Sequence, residues 1–304
     1  MNLSYNTIEE LAQIAQSQDK RISAIVLEEQ SSSMECPQEE IFSTMEKSFH
    51  VMQESAKNGM DPTLRSASGL SGGAAYKMKQ AVDQGKSHFG LLFGNALSMA
   101  LAVAEYNSSM GRIVAAPTAG SCGVLPAALI SVMEEKKLPE RDIVMSLFTA
   151  SAVGMVIAKN ASISGAEGGC QAEVGTASAM AACALTEVLG GTPQMVVNSC
   201  AIALKNILGL VCDPVAGLVE VPCIKRNAMG VANAFVASEL ALAGISSVIP
   251  AEEVIQAMKR VGRQMPPSLK ETAEGGLAAT PTGCRLCHEI FGAPATADGP
   301  ARTC

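Results

Sequence analysis

Three cysteines carry the chemistry that can be argued for this sequence. Cys170 lies in SISGAEGGCQAEVG, Cys212 in LGLVCDPVAG and Cys223 in VEVPCIKRNA. Each sits beside glycine, proline or aspartate turn residues in otherwise apolar surroundings. Thiolates are soft ligands suited to zinc and iron–sulfur centres. Three of them set in backbone turns suggest a bound inorganic centre with one position left open. A structural zinc site usually shows tight pairs, such as Cys-x-x-Cys twice. Here the first two cysteines are roughly forty residues apart and the last two roughly ten, and iron–sulfur clusters tolerate such wide spacing. On spacing alone, three buried structural cysteines are the plainer reading. The turn setting separates the trio from Cys183 and Cys200, which lie inside smooth apolar stretches and read as packing residues. Cys122 also reads as a small packed residue. Cys284-x-x-Cys287 beside His288 has zinc-like spacing but no second pair nearby. It reads equally as a partial metal site and as surface cysteines.

Two further loops could hold a substrate. SASGLSGGAAYKMKQ, residues 66–80, is a Ser/Gly run leading into a helix with Lys77 and Lys79 near its start. Backbone N–H groups exposed at such a junction favour anions; the plainer reading is a flexible connection. APTAGSCGVLPAAL, residues 116–129, is broken by Pro117, Gly120, Gly123 and Pro126. Its Thr118, Ser121 and backbone amides could hold a carboxylate. The Gly-x-x-x-x-Gly-Lys-Ser/Thr order of a P-loop is missing. Glu167 and Glu173 flank Cys170 and could act as bases, but buried carboxylates bonded to loop amides are the plainer reading.

The composition excludes several classes. With 304 residues there is ample chain for a large core. Hydrophobic residues make up 48%, so the chain is globular. There is no Trp, and only three Tyr and seven Phe, so the core must be built from Ala, Leu, Ile, Val and Met. The net charge is −7 and no Lys/Arg run is interleaved with aromatics, which disfavours nucleic-acid binding. The opening MNLSYNTIEE lacks the basic and apolar segments of a secretory signal. A cytoplasmic chain is expected, where ten cysteines are more readily ligands or buried residues than disulfides. The mean hydropathy is +0.24. However, the longest plausible uncharged helix, Ile143 to Ala158, is shorter than the about 20 residues of a membrane span. No membrane partner is expected.

The elements that must position these residues are helical. Thr7 with Glu10 is a capping box, followed by Ile8, Leu11 and Ile14 at helical spacing. A second amphipathic helix starts from Pro37 and ends near Gly59. Further helices are expected over Leu91–Tyr106, Leu138–Lys159, Met195–Leu208, Ala228–Ala243 and Glu252–Arg263. Turn-rich loops are expected over Gly165–Gly175 and Gly209–Pro222. No stretch alternates as strands do, so the fold class is all-α, a helical domain with Gly/Pro-rich active-site loops. Three parts are expected: N-terminal helices over 1–65, packed on or continuous with the main domain; a helical catalytic domain over 66–290; and a flexible tail over 291–304. The whole Gly/Pro/Ala/Thr-rich end from Gly275 reads as extended.

SGLSGGAAYKM, APTAGSCGVLPAAL, SISGAEGGCQAEVG, LGLVCDPVAGLVEVPCIKRNA and AATPTG, in that order, resemble the α chain of iron–sulfur-dependent L-serine dehydratase (L-serine ammonia-lyase). The resemblance runs from about Ser66 to Gly283. It implies an all-helical fold and a [4Fe–4S] cluster held by Cys170, Cys212 and Cys223. Family members end in a cysteine that can occupy the fourth iron at rest, and this chain ends in Cys304. The resemblance implies L-serine as substrate, eliminated to an enamine that hydrolyses to pyruvate and ammonia, with iron assisting departure of the hydroxyl. Substrate-binding candidates are Ser68, Gly69, Ser71 and Gly72 in the first loop, Thr118, Gly120, Ser121 and Gly123 in the second, and Arg226 and Asn227 after Cys223. The plainer role of the last pair is support of the cluster. The family's Ser-Ser-His-Thr segment belongs to a separate β domain and is missing here; none of His50, His88 and His288 falls in a matched motif. A β chain is therefore implied as partner, supplying the base and making the enzyme a hetero-oligomer.

Three alternatives stand beside this reading. One is a lyase for cysteine or threonine on the same scaffold. Another is a non-catalytic iron–sulfur or zinc protein. The third, a pyridoxal-phosphate dehydratase, needs a lysine in a Ser-x-Lys type motif, and Lys77, Lys79, Lys159 and Lys205 are not so placed.

Overall fold

The computed structural model describes residues 5–292. Among them the chain forms thirteen α-helices: α1 (Ile8–Ser17), α2 (Ile22–Met34), α3 (Gln38–Asn58), α4 (Ala74–Asp83), α5 (Leu91–Ser108), α6 (Val124–Lys136), α7 (Glu140–Asn160), α8 (Gly165–Gly168), α9 (Cys170–Val188), α10 (Pro193–Asn206), α11 (Cys223–Leu242), α12 (Ala251–Gln264) and α13 (Pro281–Phe291). No strand occurs among the described residues, as the pattern reading expects. The capping box forms as read: Glu10 N–H donates to Thr7 Oγ1 at 3.0 Å, and Thr7 N–H to Glu10 Oε2 at 3.3 Å.

Helix α9 is the axis of the molecule. Every residue from Cys170 to Glu187 is buried. A helix apolar on all sides has to be surrounded, and α7, α10, α11 and α6 surround it. Its surface is largely alanine, so the neighbours come close. At Gly230 of α11, a Cβ would stand 2.8 Å from Val124 and 3.0 Å from Val174. The Ser178 hydroxyl on α9 donates to the Gly230 carbonyl at 2.8 Å across the same contact. Only glycine allows that approach.

The helices before Ser66 share the core. Tyr5, Ile8, Leu11, Ile22, Val26 and Phe49 are buried in one cluster with Ile143, Phe148 and Leu185. Helix α7 is long and apolar enough to cross a membrane, but two thirds of its apolar window is buried inside the protein. It is a core helix.

Three expectations need correction. The glycines of 165–175 do not make a loop. Gly165–Gly168 is one helical turn, Gly169 turns the chain at φ +75°, and α9 begins at Cys170. Gly169 takes the left-handed conformation that side chains avoid, whereas Gly175 serves packing within α9. Helix α11 likewise begins at Cys223, five residues before the expected start at Ala228, because nothing after Pro222 breaks a helix. Part of the end read as extended is α13: the Thr280 side chain accepts from Gly283 N–H, and Pro281 occupies the first turn, where it is tolerated. Cys304 lies outside the described residues.

Candidate functional site

Two of the three cysteines are the first residues of helices. Cys170 opens α9 and Cys223 opens α11, while Cys212 lies in the loop between α10 and α11. A helix N-terminus carries unpaired N–H groups and partial positive charge, which favours an anionic sulfur. All three thiols are buried and free of disulfides. Cys212 packs with Cys170, Val174, Ile207 and Leu210 in a small apolar cluster separate from the main core.

The thiols share one electrostatic neighbourhood. Burial pushes the Cys170 thiol up to about 11, with Arg226 opposing and Glu173 adding to the rise. Burial and the neighbouring Cys170 push Cys223 up to about 12. Cys212 is raised well above the ordinary thiol range by burial, then by Cys170, Glu271, Glu173 and Cys223. Cys170 makes both other thiols harder to ionise and Cys223 adds to the rise at Cys212, so a cationic partner would favour the anionic trio. Among the described residues, no group of three or more His, Cys, Asp or Glu could hold a metal ion. A cluster places its ligating sulfurs further apart than a single ion does, since each binds a different iron. Three thiols are a donor set that soft metal centres accept.

The backbone around each cysteine is pinned by named side chains. Gln171, next to Cys170, accepts from Gly209 N–H at 2.9 Å and donates to the Gly168 and Met258 carbonyls at 3.0 and 2.9 Å. Its own N–H donates to the Leu210 carbonyl at 2.9 Å. Cys212 is held by a parallel bridge: its N–H donates to Leu269 O, and Glu271 N–H donates to its carbonyl, each at 2.9 Å. Arg226 donates to the Val211 carbonyl and to Asp213 Oδ1, both at 2.8 Å, so it grips the residues on either side of Cys212. Its positive charge also opposes the rise of the Cys170 thiol. Asp213 in turn accepts from Leu277 N–H at 2.8 Å.

The second loop meets Glu173, on the first turn of the helix that Cys170 opens. Thr118 Oγ1 donates to Glu173 Oε1 and lies 3.0 Å from Ser121 Oγ. A Cβ on Gly120 would strike Glu173 Oε1 at 2.5 Å, and one on Gly165 would stand 3.0 Å from Cys212 Sγ. Burial raises the Glu173 carboxyl above the usual range, with Thr118 opposing and Glu271 adding to the rise. Asn227 is wholly buried. It donates to the Gly120 and Cys223 carbonyls at 2.8 and 2.9 Å and accepts from Gly123 N–H at 2.8 Å, stapling the loop to α11.

The first loop is tied in by a residue that the sequence reading passed over. Ser68 and Ser71 both donate to Glu220, at 2.7 and 2.5 Å, three residues before Cys223. Gly69 sits at φ +78° with open space around its Cα, and Gly72 at φ +137° is pressed against the Leu64 carbonyl. The anion expected at the junction into α4 is there, but it belongs to the protein: Glu105 accepts from Ala74 and Ala75 N–H at 2.9 and 3.0 Å.

Other expectations separate from the site. Cys122 packs fully buried, and Cys183 and Cys200 lie in the main core. Cys284 and Cys287 sit on α13, half-exposed. The histidines stand apart: His50 pairs with Glu140 at 2.9 Å on the surface, and His88 and His288 are exposed. Glu220, Asp213 and Glu271 were missed. The first two had a signal, since they fall inside the quoted cysteine motifs; Glu271 had none in the sequence. Its φ of +60°, unusual for a residue with a side chain, marks the segment that braces Cys212.

The chain is similar to known proteins along most of its length. The family model described as "Serine dehydratase alpha chain" matches residues 17–278. A relative named probable L-serine dehydratase, alpha chain, from Bacillus subtilis is 49% identical, covering 95% of this chain and 96% of the relative. The L-serine dehydratase alpha chain of Peptoniphilus asaccharolyticus is 42% identical, over 94% and 98% of the two chains. A protein of Streptomyces coelicolor named L-serine dehydratase is 38% identical over 92% of this chain, but only 62% of that longer protein is covered.

Proposed function

The chain belongs to the serine dehydratase α-chain family, and on that premise we propose that it is the α subunit of an L-serine dehydratase carrying a [4Fe–4S] cluster. The reaction is L-serine to pyruvate and ammonia: water leaves, and the resulting enamine becomes an imine that takes water back. One observation carries the site assignment. Three buried thiols from separate segments, two of them heading helices, meet beside a loop of Thr118, Gly120 and Ser121.

Cys170, Cys212 and Cys223 are the residues that would hold the cluster. When bound, a cluster with one iron lacking a protein ligand supplies a Lewis acid for the substrate hydroxyl. The protein's part is orientation and exclusion of water. Arg226, Gln171 and the Leu269–Glu271 segment hold the thiol-bearing backbone. Asn227 holds the loop from Gly120 to Gly123, and the Ser121 hydroxyl is fixed 3.0 Å from Thr118 Oγ1. Glu173, kept from ionising easily by burial, holds Thr118 in place.

The α-proton needs a base, and the three histidines of this chain are engaged or exposed elsewhere. A partner β chain would supply it. The end-to-end match to relatives named α chain supports this, as does the partial match to the longer protein of Streptomyces coelicolor. The elimination is an ammonia-lyase reaction, and serine is preferred over cysteine and threonine as the plain reading of the relatives' names.

The test is anaerobic reconstitution of the chain, with and without its β chain, followed by a pyruvate assay. Activity from L-serine only when both chains are present supports the reading. Full activity of this chain alone removes the β-chain assignment. Faster keto-acid release from cysteine or threonine than from serine overturns the substrate.

A further inference from the structure

A second cavity lies behind the turn that presents Cys170. It encloses about 390 Å³ between the α8–α9 turn and α12, and Lys259, Arg263 and Lys270 line it. Pockets of this size hold small molecules. The cavity is distinct from the thiol pocket. Gly165 of α8 faces the thiols, since a Cβ there would stand 3.0 Å from Cys212 Sγ, whereas Gly168 on the same turn lines the cavity. The segment after α12 divides in the same way. Glu271 Oε2 lies 3.2 Å from that Gly165 position, while its neighbour Lys270 lines the cavity.

The charge of the lining points to an anion. Lys259 and Arg263 are four residues apart on α12, so they are neighbours on one face, and like charges at that spacing repel. The Lys259 ammonium donates to the Asn160 carbonyl at 2.9 Å and has N–H donors to spare. The side chains of Arg263 and Lys270 make no hydrogen bond or ion pair among the described residues. Lys259 and Lys270 are half-buried, so water serves their charges only in part. Glu167 is the one carboxylate in the lining, and it pairs with none of the three cations among the described residues. Three cations against one carboxylate leave a surplus of two positive charges. A phosphate monoester, at about −1.5 to −2 near neutral pH, matches that surplus. The planar guanidinium of Arg263 suits phosphate oxygens in particular.

We propose that this cavity binds the phosphate group of a small phosphorylated metabolite, held by Lys259, Arg263 and Lys270. A phosphate group alone leaves most of the cavity unfilled, which gives room for the organic part of the ester. The occupant bears on the thiol site through the chain itself. Gly168 is two residues before Cys170, and Lys270 pairs with Cys212 in the parallel bridge.

Equilibrium dialysis of the full chain, purified anaerobically with and without its β chain, against labelled inorganic phosphate tests it. The wild type binds about one phosphate per chain, saturably below about 10 mM. R263Q and K270Q each weaken binding by at least about fivefold, because each removes a charged donor. E167Q tightens it by at least about twofold, because it removes the opposing charge. K136Q makes the same charge change at an exposed lysine in a different groove and leaves binding within about twofold. All four variants keep the helical circular dichroism of the wild type. Absence of saturable binding, or a loss in K136Q equal to that in K270Q, overturns the proposal. So does loss of the β chain from R263Q and K270Q with phosphate binding unchanged, which assigns the cations to an acidic protein segment instead.

Discussion

The side-chain amide of Asn227 donates to the Gly120 carbonyl at 2.8 Å, joining α11 to a loop more than a hundred residues earlier. The same side chain accepts from Gly123 N–H and donates to the Cys223 carbonyl. A single buried amide thus fixes the distance between Cys223, the proposed cluster ligand, and the loop expected to face the substrate.

Replacing Asn227 by Ala would leave the Gly120 carbonyl and the Gly123 N–H buried without partners. Each orphan costs about 1–3 kcal/mol, so N227A should lose about 2–4 kcal/mol of stability. N227D keeps the acceptor for Gly123 but turns a buried carboxylate toward the Gly120 and Cys223 carbonyls, and should lose at least as much as N227A. Urea unfolding of the three proteins checks the order. Equal midpoints would show that the staple carries no energy.

Gly165 tests the fit of the thiol pocket. A methyl group there would stand 3.0 Å from Cys212 Sγ and 3.2 Å from Glu271 Oε2. The sulfur has to move while the helices behind it need not. G165A should therefore keep its circular dichroism and bind less than about half the wild-type iron, because ligand geometry is exacting to within a few tenths of an ångström. Iron and acid-labile sulfide per chain are the readout. Full occupancy would mean that Cys212 is not a ligand.

Glu187 tests a carboxylate remote from the thiols. It is 4% exposed on α9 and accepts from Ser23 N–H at 3.1 Å. Burial raises its pKa, with the Ser23 bonds opposing. Below the ordinary Glu value of about 4.3, native and unfolded chains both hold the proton. As pH rises above that value the unfolded chain loses the proton first, so ΔG of unfolding falls until the raised native pKa is passed. E187Q removes this component. Its stability advantage over wild type should be absent at low pH, grow through the acid range and level off. A constant difference between the two proteins across that range would show that Glu187 titrates normally in the fold.

Much of the frame was legible because helical periodicity reports burial directly. Ile143, Leu147 and Val153 point inward on α7 as their spacing requires. Ala-rich stretches with no room for strands left one fold class. The misreadings came from glycine and proline, whose meaning depends on contacts. Gly175 looks like a loop residue and is a packing residue of α9. Pro222 looks like a break and is the last residue before α11. The cysteine trio was visible in its motifs. Its supports were not, since Glu271, Asp213 and Glu220 act across gaps that no local pattern records. The Ser68 and Ser71 hydroxyls, read as free for substrate, are spent on Glu220.

The central claim is that Cys170, Cys212 and Cys223 hold a cluster with one iron open to substrate. Mössbauer spectra of the anaerobically reconstituted enzyme, recorded with and without L-serine, test it most directly. The expected result is about four irons per α chain, with one iron site shifting on addition of serine while the other three stay put. Substituting any one of the three cysteines by serine should abolish the signal. A full complement of irons insensitive to L-serine, or an unchanged cluster in those variants, would contradict it.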